Sequence, residues 1–140
     1  MQTPSCRSRV ALVVNKLYVR GDDSGMQFVF DEGGGVLTTG IKGYIEVPFD
    51  CYIEEQSLGA DQAGDLVIDL WLDSYANYPP TVGDTITASA KPTLSSSDKD
   101  QDSVLTGWTR QLTKGQWLGV KVDSAATVTL ATLSLKVRKT

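Results

Sequence analysis

Four aspartates recur at every fourth position, Asp61, Asp65, Asp69 and Asp73. Paired carboxylates carry out glycoside hydrolysis when they face each other across a cleft, one as the acid and one as the base or nucleophile. The last three fall in a stretch that reads as a strand, residues 65–73. Residues four apart on a strand lie roughly 13 Å from each other. Asp69 and Asp73 are expected to point outward into water, where nothing tunes a carboxyl pKa. The chain contains no histidine. This removes the usual general base, the Ser–His and Cys–His nucleophile pairs, and most zinc and copper sites. No Gly-x-Gly-x-x-Gly or Walker pattern cradles a phosphate. These residues predict no catalytic centre and no cofactor.

Other candidates are binding residues. Asp22, Asp23, Asp31 and Glu32 flank one predicted strand, and Asp98, Asp100 and Asp102 share one polar stretch. Clustered carboxylates suit calcium, but EF-hand spacing is absent and a solubilising role explains them more simply. Arg20-Gly21-Asp22 is an integrin-type tripeptide of a length that recurs by chance. Cys6 and Cys51 form no motif and are expected as free thiols in a reducing cytosol. Cys51 follows Phe49 at strand spacing and should pack as a small apolar side chain. The aromatic residues say more. Trp71 is expected to face outward, Tyr75 and Tyr78 follow in a loop held by Pro79-Pro80, and Trp108 sits after Gly107. Exposed aromatics on rigid loops bury large area at small entropic cost, which suits sugar or protein recognition. The competing reading is that they close the end of a sheet.

The elements that must position these residues are strands. Gly43, Ile45, Val47, Phe49, Cys51 and Ile53 alternate with polar neighbours, as do Leu66, Ile68, Leu70 and Leu72, and Leu118, Val120 and Val122. Period two with one wet face marks an antiparallel sheet half-buried against a core. The apolar phase slips in Val10 to Val19 and in Thr127 to Val137, which predicts bulges near Asn15 and Ala131. Gly33-Gly34-Gly35 and Pro79-Pro80 break the pattern, and residues 95–102 read as a mobile polar loop. No stretch of eleven or more residues keeps a 3.6-residue period. The spacing predicts an all-β fold, a single antiparallel β-sandwich, jelly-roll-like. About eight strands are expected: 9–19, 26–31, 36–48, 51–58, 65–73, 84–89, 103–109 with 116–123, and 126–138. Residues 1–25 form a short N-terminal arm and first strand, and 26–140 the sandwich domain.

Length and charge set limits. At 140 residues the chain is one domain, large enough to bury about two thirds of its unfolded surface. No apolar run reaches the ~20 residues of a membrane span. Val10 to Val14 is too short for a signal-peptide core, so the chain is expected to be made and kept in a cytosol. Net charge is −4, unevenly spread. Arg7, Arg9, Lys16 and Arg20 near the start, and Lys136, Arg138 and Lys139 near the end, have no acid among them, while all seventeen acids lie between. Such ends suit docking onto an acidic protein surface, and so acidic a body makes a specific nucleic-acid partner a poor fit; with no spanning run, no membrane partner is expected.

From Gly40 to Lys139 the chain resembles a domain that recurs in structural proteins of tailed bacteriophages. The matching words include Thr39-Gly-Ile-Lys-Gly43, Val47-Pro-Phe49, Ala60-Asp-Gln-Ala-Gly64, Val67-Ile-Asp-Leu-Trp71, Pro79-Pro-Thr81, Lys91-Pro-Thr-Leu94 and Leu105-Thr-Gly-Trp-Thr109. The resemblance implies a virion protein, made in the host bacterial cytoplasm, of one of two kinds. The first is a capsid decoration or cement protein, a dimer or trimer bound to the major capsid protein of the same phage. From the charge at the chain's ends, its capsid contacts would be Arg7, Arg9, Arg20, Arg138 and Lys139. The second is a receptor- or glycan-binding domain of a tail fibre or appendage. Its platform for a host-surface glycan would be Trp71, Tyr75, Tyr78 and Trp108.

Overall fold

The structure, a computed structural model, describes residues 22–140. Seven strands follow in chain order: β1 Asp23–Asp31, β2 Gly40–Glu46, β3 Cys51–Asp73, β4 Thr93–Asp102, β5 Gln111–Leu112, β6 Trp117–Ala126 and β7 Leu130–Lys139. All pair antiparallel in one hydrogen-bonded sheet of order β1-β7-β3-β6-β2, with β4 and β5 on the other edge of β3. Short 3-10 turns occupy Tyr75–Asn77 and Val82–Asp84.

The 23-residue β3 organises the molecule. Its first half pairs with β7, from Cys51↔Lys139 to Ala60↔Ala131, and its second half pairs with β6, from Asp65↔Ala126 to Asp73↔Trp117. The two strands expected over 51–58 and 65–73 are therefore one, bent between Ala60 and Asp65. Several features match the bend. A Cβ on Gly64 would stand 2.6 Å from the Ala126 carbonyl oxygen, so only glycine allows this approach. On the facing edge β4 shifts register beside Gly64, with Ser96 at φ 50 and its N–H donating to Asp65 Oδ1 at 2.7 Å. Asp61 accepts from Thr129 Oγ1 at 2.6 Å and from Leu130 N at 3.0 Å, tying the bend to the β6–β7 turn.

Bending β3 curls the sheet round one apolar cluster. Cys51, Ile53 and Leu58 of its first half and Leu66, Ile68 and Leu70 of its second are all buried there. Met26 and Phe30 join from β1, Leu118, Val120 and Val122 from β6, and Leu133, Leu135 and Val137 from β7. Burying each such side chain is worth about 1.5–3 kcal/mol. The curl brings the edge strands together: the Phe28 ring of β1 lies where a Cβ on Gly43 of β2 would sit, 2.7 Å away.

Three sequence expectations are corrected. Residues 95–102, expected as a mobile loop, lie in strand β4, because their backbone pairs with β3 from Gln56 to Val67. Residues 84–89 and 103–109 form no strand; there only Thr85 bridges to Trp71. The apolar phase change expected as a bulge near Ala131 falls at the end of the β6–β7 turn instead, where buried Val128 is followed by exposed Leu130 and buried Ala131. The strand over 9–19 and the bulge near Asn15 lie outside the described residues.

Candidate interaction surface

Cross-strand partners share a face of a sheet. On the second half of the molecule the outward rows run Asp73–Trp117–Glu46, then Trp71–Gly119–Tyr44, then Asp69–Lys121–Ile41 across β3, β6 and β2. Residues 74–92 return over this face as a strap. Pro80 settles on Gly119, where an added Cβ would meet its Cγ at 3.3 Å. Tyr78 inserts between Tyr44 and Trp117, with ring centroids 5.1 and 5.3 Å away. The Tyr78–Pro79 peptide is cis.

The strap overturns the expectation that Asp69 points into water. Asp69 is 3% exposed. It accepts from Thr85 Oγ1 at 2.6 Å, Thr87 Oγ1 at 2.7 Å, Leu70 N at 2.8 Å and Trp71 Nε1 at 2.9 Å. A buried carboxylate needs such a full set of donors. Lys91 stands 3.8 Å from it and pairs with Asp123 at 2.6 Å, and Lys121 pairs with Asp123 at 2.9 Å. Hydrogen bonding to Asp123 raises the Lys91 pKa. For Asp123, burial pushes the carboxyl up, but the Lys91 and Lys121 bonds outweigh it and hold it below the usual range. Every donor round Asp69 comes from β3 or the strap, so the carboxylate fastens the two together.

The expected aromatic platform divides. Trp71 and Trp108 are 9% and 7% exposed, a correction to their reading as surface residues. Trp71 is sealed by the strap, and Trp108 joins the core while donating from Nε1 to the Ala90 carbonyl at 2.8 Å. Tyr75 and Tyr78 stand out at 76% and 44%. Around them lies a rim that sequence reasoning did not assemble. Tyr44 and Trp117 stack with Tyr78, and Trp117 Nε1 is buried without a hydrogen-bond partner. Exposed Val82 lies on the same strap, and Glu46 and Asp73 flank Trp117 in register. The signal for Tyr44 and Trp117 was their place on the wet face of their strands. Their meeting depends on where the strap lies.

Of the basic residues expected to contact a capsid, Arg7, Arg9 and Arg20 lie outside the described residues. Arg138 pairs with Glu54 at 3.0 Å and lies over the Tyr52 ring. Lys139 is exposed, over Phe49 at 5.0 Å. Among the described residues no three of Cys, Asp and Glu are grouped to hold a metal ion. The acids read as calcium candidates have other uses. Glu32 pairs with Lys42 at 2.7 Å, and that bond, with Thr38, lowers its pKa to about 2. Asp31 accepts from Gly33 N, Asp100 from Gln56 Nε2, and Asp102 from Val104 N. Cys51 is fully buried, and burial raises its thiol pKa; Cys6 lies outside the described residues. No helix among the described residues is long and apolar enough to cross a membrane.

The opposite outer face carries no strap. Its rows read Val29–Thr132–Gly59–Lys99 and Gln27–Ser134–Ser57–Gln101 across β1, β7, β3 and β4. Two shallow open grooves flank Gly59, one toward Thr132 and Ser134 and one toward Lys99 and Gln101.

No family model matches the chain, and no curated protein matches it. A chain in the solved structure of the capsid of Ralstonia phage GP4 is similar in fold. The two share 14% identity with a TM-score of 0.51, over 94% of this chain and 92% of that one.

Proposed function

We propose that this chain is a structural protein of a tailed-phage virion, a decoration or cement protein that binds the head shell and clamps neighbouring capsid subunits. In this reading the curled sheet is a jelly-roll-like sandwich, the residues before β1 are an arm (Asp23–Gly25 of the expected 1–25 belong to β1), and copies associate as dimers or trimers on the major capsid protein. The observation that carries it is the nearly end-to-end likeness in fold to a chain of the GP4 capsid. Two features add support. The one buried carboxylate, Asp69, is used up in fastening the strap rather than facing a cleft. Basic residues concentrate at both ends of an otherwise acidic chain, and complementary charge steers such a protein onto an acidic lattice. Arg20, Arg138 and Lys139 would meet the shell near the body, with Arg7 and Arg9 further out.

Quantitative mass spectrometry of purified virions tests this reading. Hundreds of copies per particle, released from heads by high salt and released sooner by an Arg138→Glu, Lys139→Glu variant, are expected. Absence from the particle overturns it. A few copies confined to tails would favour the receptor- or glycan-binding alternative, which retains Tyr75 and Tyr78 as exposed aromatics.

A further inference from the structure

The cations of residues 22–140 are largely committed. Lys42, Lys91, Lys121, Lys136 and Arg138 each pair with an acid, and Arg110 donates to the carbonyls of Ile53, Glu54 and Val104. Three acids at the aromatic rim are left over. Among the described residues Glu46, Asp73 and Asp84 take part in no ion pair. Glu46 and Asp73 stand on either side of Trp117 in register. Asp84 accepts from Thr81 N at 2.8 Å on the strap that carries Tyr75, Tyr78 and Val82. The rim thus joins exposed ring faces to unneutralised carboxylates. That pair of features fits a guanidinium, which is planar, stacks on aromatic rings and pairs with carboxylates.

The molecule uses the same combination elsewhere. Arg138 lies 5.5 Å from the centroid of Tyr52 and pairs with Glu54, and Arg110 lies 4.8 Å from the same ring. The chain also supplies a suitable occupant. Residues 1–20 carry Arg7, Arg9, Lys16 and Arg20 and no acid, against a body of seventeen acids and nine bases.

We propose that the rim formed by Tyr44, Tyr75, Tyr78 and Trp117 with Glu46, Asp73 and Asp84 is the docking site for the basic segment of residues 1–20 of a second copy of this chain. In this docking Arg7 and Arg9 stack on the exposed tyrosines and pair with the carboxylates, which leaves Arg20, Arg138 and Lys139 to meet the shell. The choice of a neighbouring copy rests on the shell reading above: a segment crossing between copies joins them head to tail and propagates around a closed symmetric assembly. The same contact within one copy joins nothing.

Photo-crosslinking of the full-length protein tests the proposal. A benzophenone amino acid replaces Tyr75, and unlabelled and nitrogen-15-labelled protein are mixed before irradiation. Adducts between position 75 and residues 1–20 of mixed isotopic composition are expected. Adducts of one isotope only, adducts to another surface, or none would overturn it. A charge swap checks the chemistry. Glu46→Lys, on an exposed side chain, and Arg9→Glu should each lower the mixed adduct severalfold, and together they should restore it. Loss without restoration rejects the ion pair, and unchanged far-ultraviolet circular dichroism keeps a folding defect out of the result. The copy number in virions is measured independently. A protein abundant on heads that gives no cross-copy adduct therefore rejects this docking and leaves the shell reading standing.

Discussion

The two halves of β3 have opposite fates on their outer faces. Both alternate apolar and polar side chains, and both bury the apolar set in one core. On the second half the outward residues Asp69 and Trp71 are as enclosed as core residues, because residues 74–92 lie across them. On the first half the outward residues Ser57 and Gly59 stay open to solvent beside shallow grooves. Alternation thus fixes which way a side chain points, while a connection placed elsewhere decides whether it meets water. The covered half needed a buried carboxylate with four donors to hold its strap. The bare half presents Ser57 and Gly59 there, with no large side chain to cover.

Removing Asp69 should break this contrast most sharply. Asp69→Ala takes the acceptor from buried Trp71 Nε1 and from buried Thr87 Oγ1, and cuts the bond from Thr85 on the strap. Its expected cost is about 3 kcal/mol, read by urea unfolding, with a rise in Trp71 exposure on acrylamide quenching. A loss under 1 kcal/mol would mean that the strap is held by its aromatics alone. Next comes the bend that separates the halves. Gly64→Ala drives a methyl onto the Ala126 carbonyl, a backbone atom that cannot swing away, and should cost about 2 kcal/mol.

Acid should loosen the bend. The Thr129 hydroxyl, with the backbone N–H of Leu130 and Thr129, holds the Asp61 pKa down to about 2. A carboxyl whose folded pKa is depressed stabilises the fold above its ordinary value near 4 and loses that contribution as pH falls through about 2. Asp61→Asn should therefore lower Tm by a few degrees at neutral pH and flatten the fall in Tm between about pH 4 and 2. An acid limb unchanged by this substitution would assign the loss to other carboxyls, Glu32 first, whose Lys42 bond also holds it at about 2. The smallest effect belongs to the bare face. Nothing lies within 4 Å of a Cβ added to Gly59, so Gly59→Ala should stay within about 0.5 kcal/mol of the parent. A large loss there would show that the open face is packed against something in solution.

Much of the architecture was legible residue by residue. The alternation of Leu66, Ile68 and Leu70, and of Leu118, Val120 and Val122, identified both the strand type and the buried face, because a period of two can satisfy only a sheet with one side in a core. The cluster of breakers at Pro79-Pro80 marked the strap as a break between strands, though a 3-10 turn, Tyr75–Asn77, stands just before it. The charged run 95–102 misled, because its side chains suit a loop while its backbone finds partners on β3. Polar composition reports on the side chains' solvent; strand pairing is settled by which backbone groups are left open nearby.

The rim shows the same division. Tyr75 and Tyr78 could be read as exposed from a turn held by prolines. Tyr44 and Trp117, 73 residues apart in the chain, meet only because β2 and β6 pair and the strap inserts Tyr78 between their rings. By itself the sequence determined that this protein is all-β, that its apolar residues line one side of each strand, and that its basic charge gathers at the ends. The tertiary structure alone decided that β3 bends into two halves, that Asp69 and Trp71 are enclosed, and that three unpaired carboxylates border a ring of aromatics. The reason is physical. Local alternation depends on a residue's own neighbours in the chain, whereas burial and charge pairing depend on segments far apart in sequence that the curl of the sheet brings together.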